Sequence, residues 1–255
     1  MVSLQLQNVE ARYGRKVIYG DATTPPISGG HLTALVGANA SGKSTLFRRI
    51  AGQLAGGGEV RLTGAAAHDL RYMPQDTGMT AALTVYESMI LSLKQGSGGW
   101  RLSTTDLRAV DRVLDQLTIP QLAGTSLTEL SGGQRQLVSI AQTLVTRPKV
   151  VLMDEPTSAL DLYRQYEVLE VLRDYATETG AVVLLALHDL NQVMRSCTMT
   201  VAVSGGRILA AGPTLTTLRP DLIQKLYGIE ARVETCSRGC PMMIVDRALP
   251  IAPAA

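Results

Sequence analysis

The sequence predicts an α/β fold built around a parallel sheet, and three observations predict it. An apolar strand, Leu32–Val36, runs into a Gly-rich loop and then a helix beginning near Lys43. A second apolar stretch, Ala181–Leu187, has no polar break, as expected for a strand covered on both faces. Between them, strand-like and helix-like periodicities alternate, the pattern of parallel strands joined by helices. A chain of 255 residues fits one large domain with a small appendage, and it can bury a core without disulfides or a structural metal. With one Trp and one Phe, that core must be aliphatic.

The elements follow in order. Leu4 and Leu6 alternate with polar residues, a turn falls at Gly14, and Val17-Ile18-Tyr19 resumes a strand. Short strands are expected at Glu59–Leu62 and Arg71–Met73. In Asp106–Leu117 the apolar Leu107, Val110, Val113, Leu114 and Leu117 share one helical face. Leu137, Ile140, Ala141, Leu144 and Val145 do the same in a helix after Ser131 that Pro148 should end. A strand at Val150–Met153, a helix from about Leu162 to Ala176 and the stop residue Gly180 complete the pattern. Ser204-Gly205-Gly206 joins a hairpin between Thr200–Val203 and Arg207–Ala210. From Gly228 the chain reads as a small β appendage, with Ile251–Ala255 a loose tail.

The balance of 24 basic against 22 acidic residues gives no basic face of the kind a nucleic-acid binder needs. No segment reaches the roughly 18 apolar residues of a membrane span, and the first residues do not read as a signal peptide. The chain is therefore expected to be soluble and cytosolic. Three cysteines are too few for a disulfide scaffold. Cys197 shares an apolar helical face with Leu190, Val193 and Met194 and reads as core. Cys236 and Cys240, four apart, supply half a zinc site at best and read as an inert β-turn of the appendage.

Gly37-Ala38-Asn39-Ala40-Ser41-Gly42-Lys43-Ser44 matches the P-loop pattern between strand and helix. Successive backbone N–H groups and the helix N-terminus there bind phosphate oxygens. Lys43 is placed to reach the β- and γ-phosphates, and the Ser44 hydroxyl to ligate Mg²⁺. The apolar strand Val150–Met153 ends in Asp154 and Glu155. Beside a P-loop, Asp154 is expected at the Mg²⁺ and Glu155 at the attacking water. Leu130-Ser131-Gly132-Gly133-Gln134 is a second anion-binding device: a hydroxyl, free N–H groups and a helix dipole. One chain cannot aim both devices at one γ-phosphate from opposite sides, whereas two chains head to tail can.

At this point the chain resembles the ATPase subunits of ABC transporters over nearly its whole length. The resemblance implies a P-loop NTPase core sheet with an antiparallel β subdomain and a helical subdomain. The ABC ATPase domain would span residues 1–227, its helical subdomain about 76–147, with residues 228–255 forming the appendage and tail. It also implies an ATP site. Tyr13 lies where the family stacks an aromatic on adenine, and the loop from Gly37 to Thr45 holds the phosphates. Gln75 matches the Gln that touches Mg²⁺ and the attacking water. Ser158-Ala159-Leu160-Asp161 looks like the loop exchanged across the dimer, and His188 like the family's γ-phosphate contact. Glu155, His188, Gln75 and Lys43 would then be catalytic, with Mg²⁺ held through Ser44, Gln75 and Asp154. The second half-site would comprise Ser131, Gly132, Gly133, Gln134 and Asp161.

Two departures stand out. Ala38 and Ala40 occupy positions where the family commonly carries Pro and Gly, and the stretch between Gly64 and Gln75 is short. The run Thr84–Ser88, the segment Gly98-Gly99-Trp100-Arg101 and Ala186–Asn191 look most like importers of iron–siderophore complexes, haem and cobalamin. That branch implies a homodimer of this chain at the cytoplasmic face of the membrane, under two transmembrane permease subunits fed by a substrate-binding protein. An iron–siderophore cargo is the leading expectation, followed by haem, cobalamin or a metal ion. Closure would pass to the permeases through the Gln75–Lys94 region. A non-transport ABC ATPase of DNA repair or translation is the rival reading. It would call for a coiled-coil insertion or a second cassette, and neither is present. Intact Lys43, Asp154, Glu155 and His188 argue against a silent subunit.

Overall fold

Side chains along each central strand alternate between two buried clusters, which fixes the layering. The shared direction of these parallel strands puts every loop of the site at one end of the sheet. The computed structural model describes residues 1–75, 82–95 and 101–249. The tail Ile251–Ala255, the segment Gly98–Trp100 and residues 76–81 of the Gln75–Lys94 region lie outside the described residues. In chain order the first elements are β1 (Ser3–Gln7), β2 (Val9–Tyr13), β3 (Lys16–Ala22), β4 (Ile27–Ser28) and β5 (Leu32–Val36). Then come α1 (Lys43–Ile50), β6 (Glu59–Thr63), β7 (Leu70–Met73), α2 (Val85–Lys94) and α3 (Thr104–Gln116). The middle holds α4 (Gly132–Leu144), β8 (Val150–Asp154), α5 (Leu162–Thr179), β9 (Val182–Ala186) and α6 (Leu190–Ser196). Last are β10 (Met199–Ser204), β11 (Arg207–Pro213), α7 (Thr214–Thr217), α8 (Pro220–Tyr227), β12 (Ile229–Thr235) and β13 (Pro241–Ala248).

Eight strands form the main sheet in the order β2-β3-β11-β10-β5-β9-β8-β7. The five from β10 to β7 are mutually parallel, while β2 with β3 and β10 with β11 are antiparallel pairs. As the uninterrupted apolar run predicts, β9 sits between β5 and β8 with all five residues buried. Val183 and Leu185 face the helices, while Val182, Leu184 and Ala186 face a second cluster containing Leu46, Phe47 and Leu6. A separate antiparallel sheet, β4-β1-β6, covers that second face. Burying apolar side chains on both faces contributes about 25 cal/mol per Å² removed from water, and this is the main source of stability.

Helices α2, α3 and α4 pack on one another on the first face. Each opens with a capping box, Thr84 with Glu87, Ser103 with Asp106 and Ser131 with Gln134, so two of its first N–H groups are satisfied from its own sequence. Helix α4 ends at Leu144, before Pro148, because Arg147 turns into the left-handed region at φ +51°. Helix α5 runs to Thr179, beyond the expected Ala176, until left-handed Gly180 stops it. Cys197 is core, as expected, and burial pushes its thiol up to about 12.

The candidate nucleotide site

The loop between β5 and α1 places its groups by close packing. A Cβ at Gly37 would lie 2.3 Å from the Val203 carbonyl oxygen, so only glycine fits there. Gly42 has φ +102° and sits against the Tyr19 ring, where a side chain would collide. Between them Ala40 takes φ +59°, a conformation that costs an L-residue about 1–2 kcal/mol. The strain at this departure from the family pattern is local, since the loop still closes.

Lys43, only 6% exposed, donates from Nζ to the carbonyls of Gly37 at 2.8 Å and Ala38 at 3.2 Å. Burial pulls its pKa down, against the opposing pull of the carboxylates of Glu155 and Asp154. The amine has three donors, and two go to these carbonyls. Ser41 Oγ is buried with no hydrogen-bond partner in the same loop. An anionic ligand would meet that hydroxyl, the ammonium and the N-terminus of α1 together.

Strand β8 delivers Asp154 and Glu155 beside this loop. Asp154 is 1% exposed, its Oδ1 has no partner, and burial raises its pKa despite a hydrogen bond with Ser44 and the nearby charges of Lys43 and His188. An orphaned carboxylate oxygen beside a serine hydroxyl is an all-oxygen donor set, and such a set fits a hard divalent cation.

Glu155 is the geometric centre of the site. Gln75 Nε2 donates to its Oε2 at 2.9 Å, and His188 Nε2 lies 2.5 Å from its Oε1. Both oxygens are thereby fixed from two different strand exits, those of β7 and β9. The backbone of Glu155 is left-handed, with φ +53°. Gln136 Nε2 and Ser158 Oγ both donate to its carbonyl, at 3.0 and 3.1 Å, and its own N–H reaches the Ala186 carbonyl at 3.2 Å. Strain held by bonds on both sides of a residue is a mark of functional sites. Asn39 through Thr45, Gln75, Glu155 and His188 line one cavity of about 590 Å³. Ile18 lines it too, and sequence reasoning passed it over as an ordinary strand residue.

Tyr13 stands 42% exposed at the end of β2, its hydroxyl accepting from Arg48 Nη1 at 3.3 Å, and does not line this cavity. Ser131, Gly133, Gln134 and Asp161 line a different cavity of about 220 Å³, with no residue of the Gly37–Thr45 loop in it. Gly132 is not part of that lining. Asp161 caps α5 through Oδ1 to the Arg164 N–H at 2.9 Å, while Ser131 and Gln134 cap α4. The structure thus brings together the loop, Gln75, Asp154, Glu155 and His188, and keeps the Ser131 device apart from them.

Residues 24–158 match the family model described as ABC transporter. The chain belongs to the ABC transporter family. As a member of it, this ABC subunit binds ATP and hydrolyses it. It is 32% identical over 249 residues to the iron(3+)-hydroxamate import ATP-binding protein FhuC of Bacillus subtilis (strain 168), covering 93% of this chain and 92% of that protein. It is 34% identical to the hemin import ATP-binding protein HmuV of Pseudomonas fluorescens (strain Pf0-1), over 94% of this chain and 99% of the relative. It is 36% identical to the cobalamin import ATP-binding protein BtuD of Halobacterium salinarum (strain ATCC 29341 / DSM 671 / R1), over 82% of this chain but only 55% of that protein. Among solved structures, the ABC subunit shares its fold with a transporter in an inward-facing conformation described as of the metal-chelate type. The TM-score is 0.83 at 24% identity, over 99% of both chains. It also matches cbiO1 from Clostridium perfringens, part of the ABC transporter complex cbiONQ, with a TM-score of 0.72 at 26% identity over 84% of this chain and 89% of that one. Importer ATP-binding subunits of this family work with transmembrane permeases. Among the described residues no helix is long and apolar enough to cross a membrane.

Proposed function

We propose that this chain is the ATP-hydrolysing subunit of an importer that takes up an iron–siderophore complex. The observation that carries the catalytic part is the clamp on Glu155, whose two carboxylate oxygens are held by Gln75 and His188 at the mouth of the phosphate-binding loop. The near full-length likeness to the iron(3+)-hydroxamate protein supports the cargo. Haem and cobalamin are the second reading, favoured by the likeness to HmuV and BtuD.

In this reading the N–H groups from Gly42 to Thr45 and the start of α1 bind the phosphates, with Lys43 on the β- and γ-phosphates. Ser44 and Asp154, with Gln75 nearby, would hold Mg²⁺. When bound, that ion screens phosphate charge. Glu155 takes the proton of the attacking water as general base, and its fixed orientation removes the entropy of aligning it. His188 and Gln75 position that carboxylate and contact the γ-phosphate and the water. Tyr13 stacks on adenine from outside the phosphate cavity.

The Ser131–Gln134 turn and Asp161 complete the site from a second copy bound head to tail. Two permease subunits and, through them, a substrate-binding protein are the remaining partners; nucleic acid is not among them. The subunit is peripheral, at the cytoplasmic face of the membrane. The ATPase domain spans residues 1–227, with its helical subdomain about 76–147 and the appendage from 228.

Uptake of labelled ferric siderophore by cells carrying the native chain or Glu155→Gln tests the cargo, alongside ATP hydrolysis by the purified forms. General-base catalysis is worth about 10²–10⁴ in rate, so the variant should bind ATP, trap a closed dimer and lose hydrolysis and uptake together. Hydrolysis at the parent rate sinks the role of Glu155. Lost hydrolysis with unchanged uptake sinks only the iron cargo.

A further inference from the structure

The appendage carries a site that ATP chemistry does not use. Strands β12 and β13 pair antiparallel with Thr235 opposite Pro241, which places Cys236 opposite Cys240 across a three-residue turn. Cys236 N–H donates to the Cys240 carbonyl at 2.9 Å, and Gly239 N–H donates to the Cys236 carbonyl at 2.8 Å. Gly239 supplies the left-handed φ of +76° that the turn needs. Residues opposed across an antiparallel pair have Cα atoms about 4.5–5.5 Å apart, inside the roughly 4.4–6.8 Å that a disulfide spans. Both thiols are free, half-exposed and within hydrogen-bonding reach of each other.

The surroundings favour a thiolate. The N–H groups of Arg238 and Cys240 point at the Cys236 sulfur and pull its pKa down, with smaller help from the Cys240 thiol and the charge of Arg195. Arg195, on α6, lies over the Tyr166 ring at 5.8 Å and reaches toward Cys240, so its guanidinium is held beside the pair. An electropositive, partly exposed setting of this kind is where reactive cysteines sit. Cys197 is the contrast, buried with its thiol pushed up.

We propose that Cys236 and Cys240 form a redox-active dithiol whose reaction partner is a small disulfide of the glutathione class. The Cys236 thiolate attacks one sulfur of that disulfide. The S–S bond breaks, one small thiolate leaves and takes up a proton, and a mixed disulfide remains on Cys236. Cys240 then loses its proton and attacks the Cys236 sulfur, expelling the second small thiolate. Two protein thiols are oxidised to one intrachain disulfide, and one small disulfide is reduced to two thiols.

The sequence gives the test a direct readout. Trypsin cuts after Arg232, Arg238 and Arg247, so the reduced appendage yields two peptides, one with Cys236 and one with Cys240. After treatment of the full chain with oxidised glutathione, the two should be joined as one mass that separates on reduction, while Cys197 stays a free thiol that is alkylated only after denaturation. Cys240→Ser should accumulate the Cys236–glutathione mixed disulfide, and iodoacetamide at neutral pH should alkylate Cys236 several-fold faster than Cys240. The proposal is overturned if both thiols stay free under oxidised glutathione or if the disulfide joins two chains. Equal alkylation rates at the two sulfurs would overturn the assignment of attacking and resolving roles.

Discussion

Replacing Asp154 by Asn should make the nucleotide-free protein more stable while removing its response to MgATP. Asp154 is 1% exposed and its Oδ1 meets no donor. Burial and the neighbouring Glu155 disfavour the charged carboxylate, and the Ser44 hydrogen bond with the nearby Lys43 and His188 offsets only part of that. An amide of the same shape still accepts from Ser44 through its carbonyl oxygen and carries no charge to desolvate. Leaving a buried polar group unpaired costs about 1–3 kcal/mol, more when it is charged; the amide still leaves its Nδ2 without an acceptor, so only the excess owed to the charge, about 1 kcal/mol, is regained. For a chain of this length each kcal/mol moves the melting midpoint by about 2–4 °C, which puts the rise at about 2–4 °C. The assay is thermal and urea unfolding of both forms in chelator, repeated with Mg²⁺ and ATP. Ligand at a hundred times its Kd stabilises the parent by about 2.7 kcal/mol, and the variant should lose most of that increment. A variant that melts at or below the parent in chelator would refute the reasoning, because it would mean the charge already has a stabilising partner in the empty site.

Two further outcomes follow from the same geometry. Ala40→Gly relieves a left-handed alanine at φ +59°, worth about 1–2 kcal/mol, against about 0.4–1 kcal/mol of extra unfolded-chain entropy; urea melts should show a small net gain, and a clear loss would mean the Ala40 methyl is packing usefully. Asn191→Ala removes the pair of bonds that fasten α6 to β13, Asn191 Nδ2 to the Met243 carbonyl at 3.2 Å and Met243 N–H to Asn191 Oδ1 at 2.7 Å. Amide exchange should then rise through β12 and β13 by an opening energy lower by about 1–2 kcal/mol, and unchanged protection there would show that the hairpin is held by its packing on α8 alone.

The sheet was legible because its signal is local. Ala181–Leu187 and Val150–Met153 each announce a two-sided burial that only the interior of a parallel sheet supplies, and they became adjacent strands β9 and β8. The loop residues were legible because Gly37 and Gly42 are forced by backbone approach and conformation, which leave a mark in the sequence. Contacts between distant segments left no such mark. Nothing around Gln136 signals that its amide holds the Glu155 carbonyl, and nothing around Asn191 signals that it grips Met243 fifty-two residues on. Ile18 gave only the alternation of its strand, so its place in the cavity wall could not be read. The boundary of α4 slipped for a different reason: Pro148 marked where a helix could not continue, while the left-handed turn at Arg147 ended it sooner.

The separation of the Ser131 turn from the Gly37–Thr45 loop supports the head-to-tail site proposed above. If a single chain were to enclose its own γ-phosphate, the N-terminus of α4 would have to open into the cavity lined by Lys43 and Glu155. Instead that terminus opens into a cavity walled by Ile119, Leu160, Asp161 and Arg164. Its side-chain caps are already satisfied within the chain, so the turn is preorganised and needs no ligand to form. Immediately after Asp161 come Leu162 and Tyr163, 67% and 73% exposed. Apolar side chains that open to water beside a preorganised anion device lose less by association than by isolation. In the proposed head-to-tail dimer the partner's loop would come opposite Ser131. Each half-site would then be rigid beforehand and incomplete alone, which makes closure depend on the phosphate lying between them.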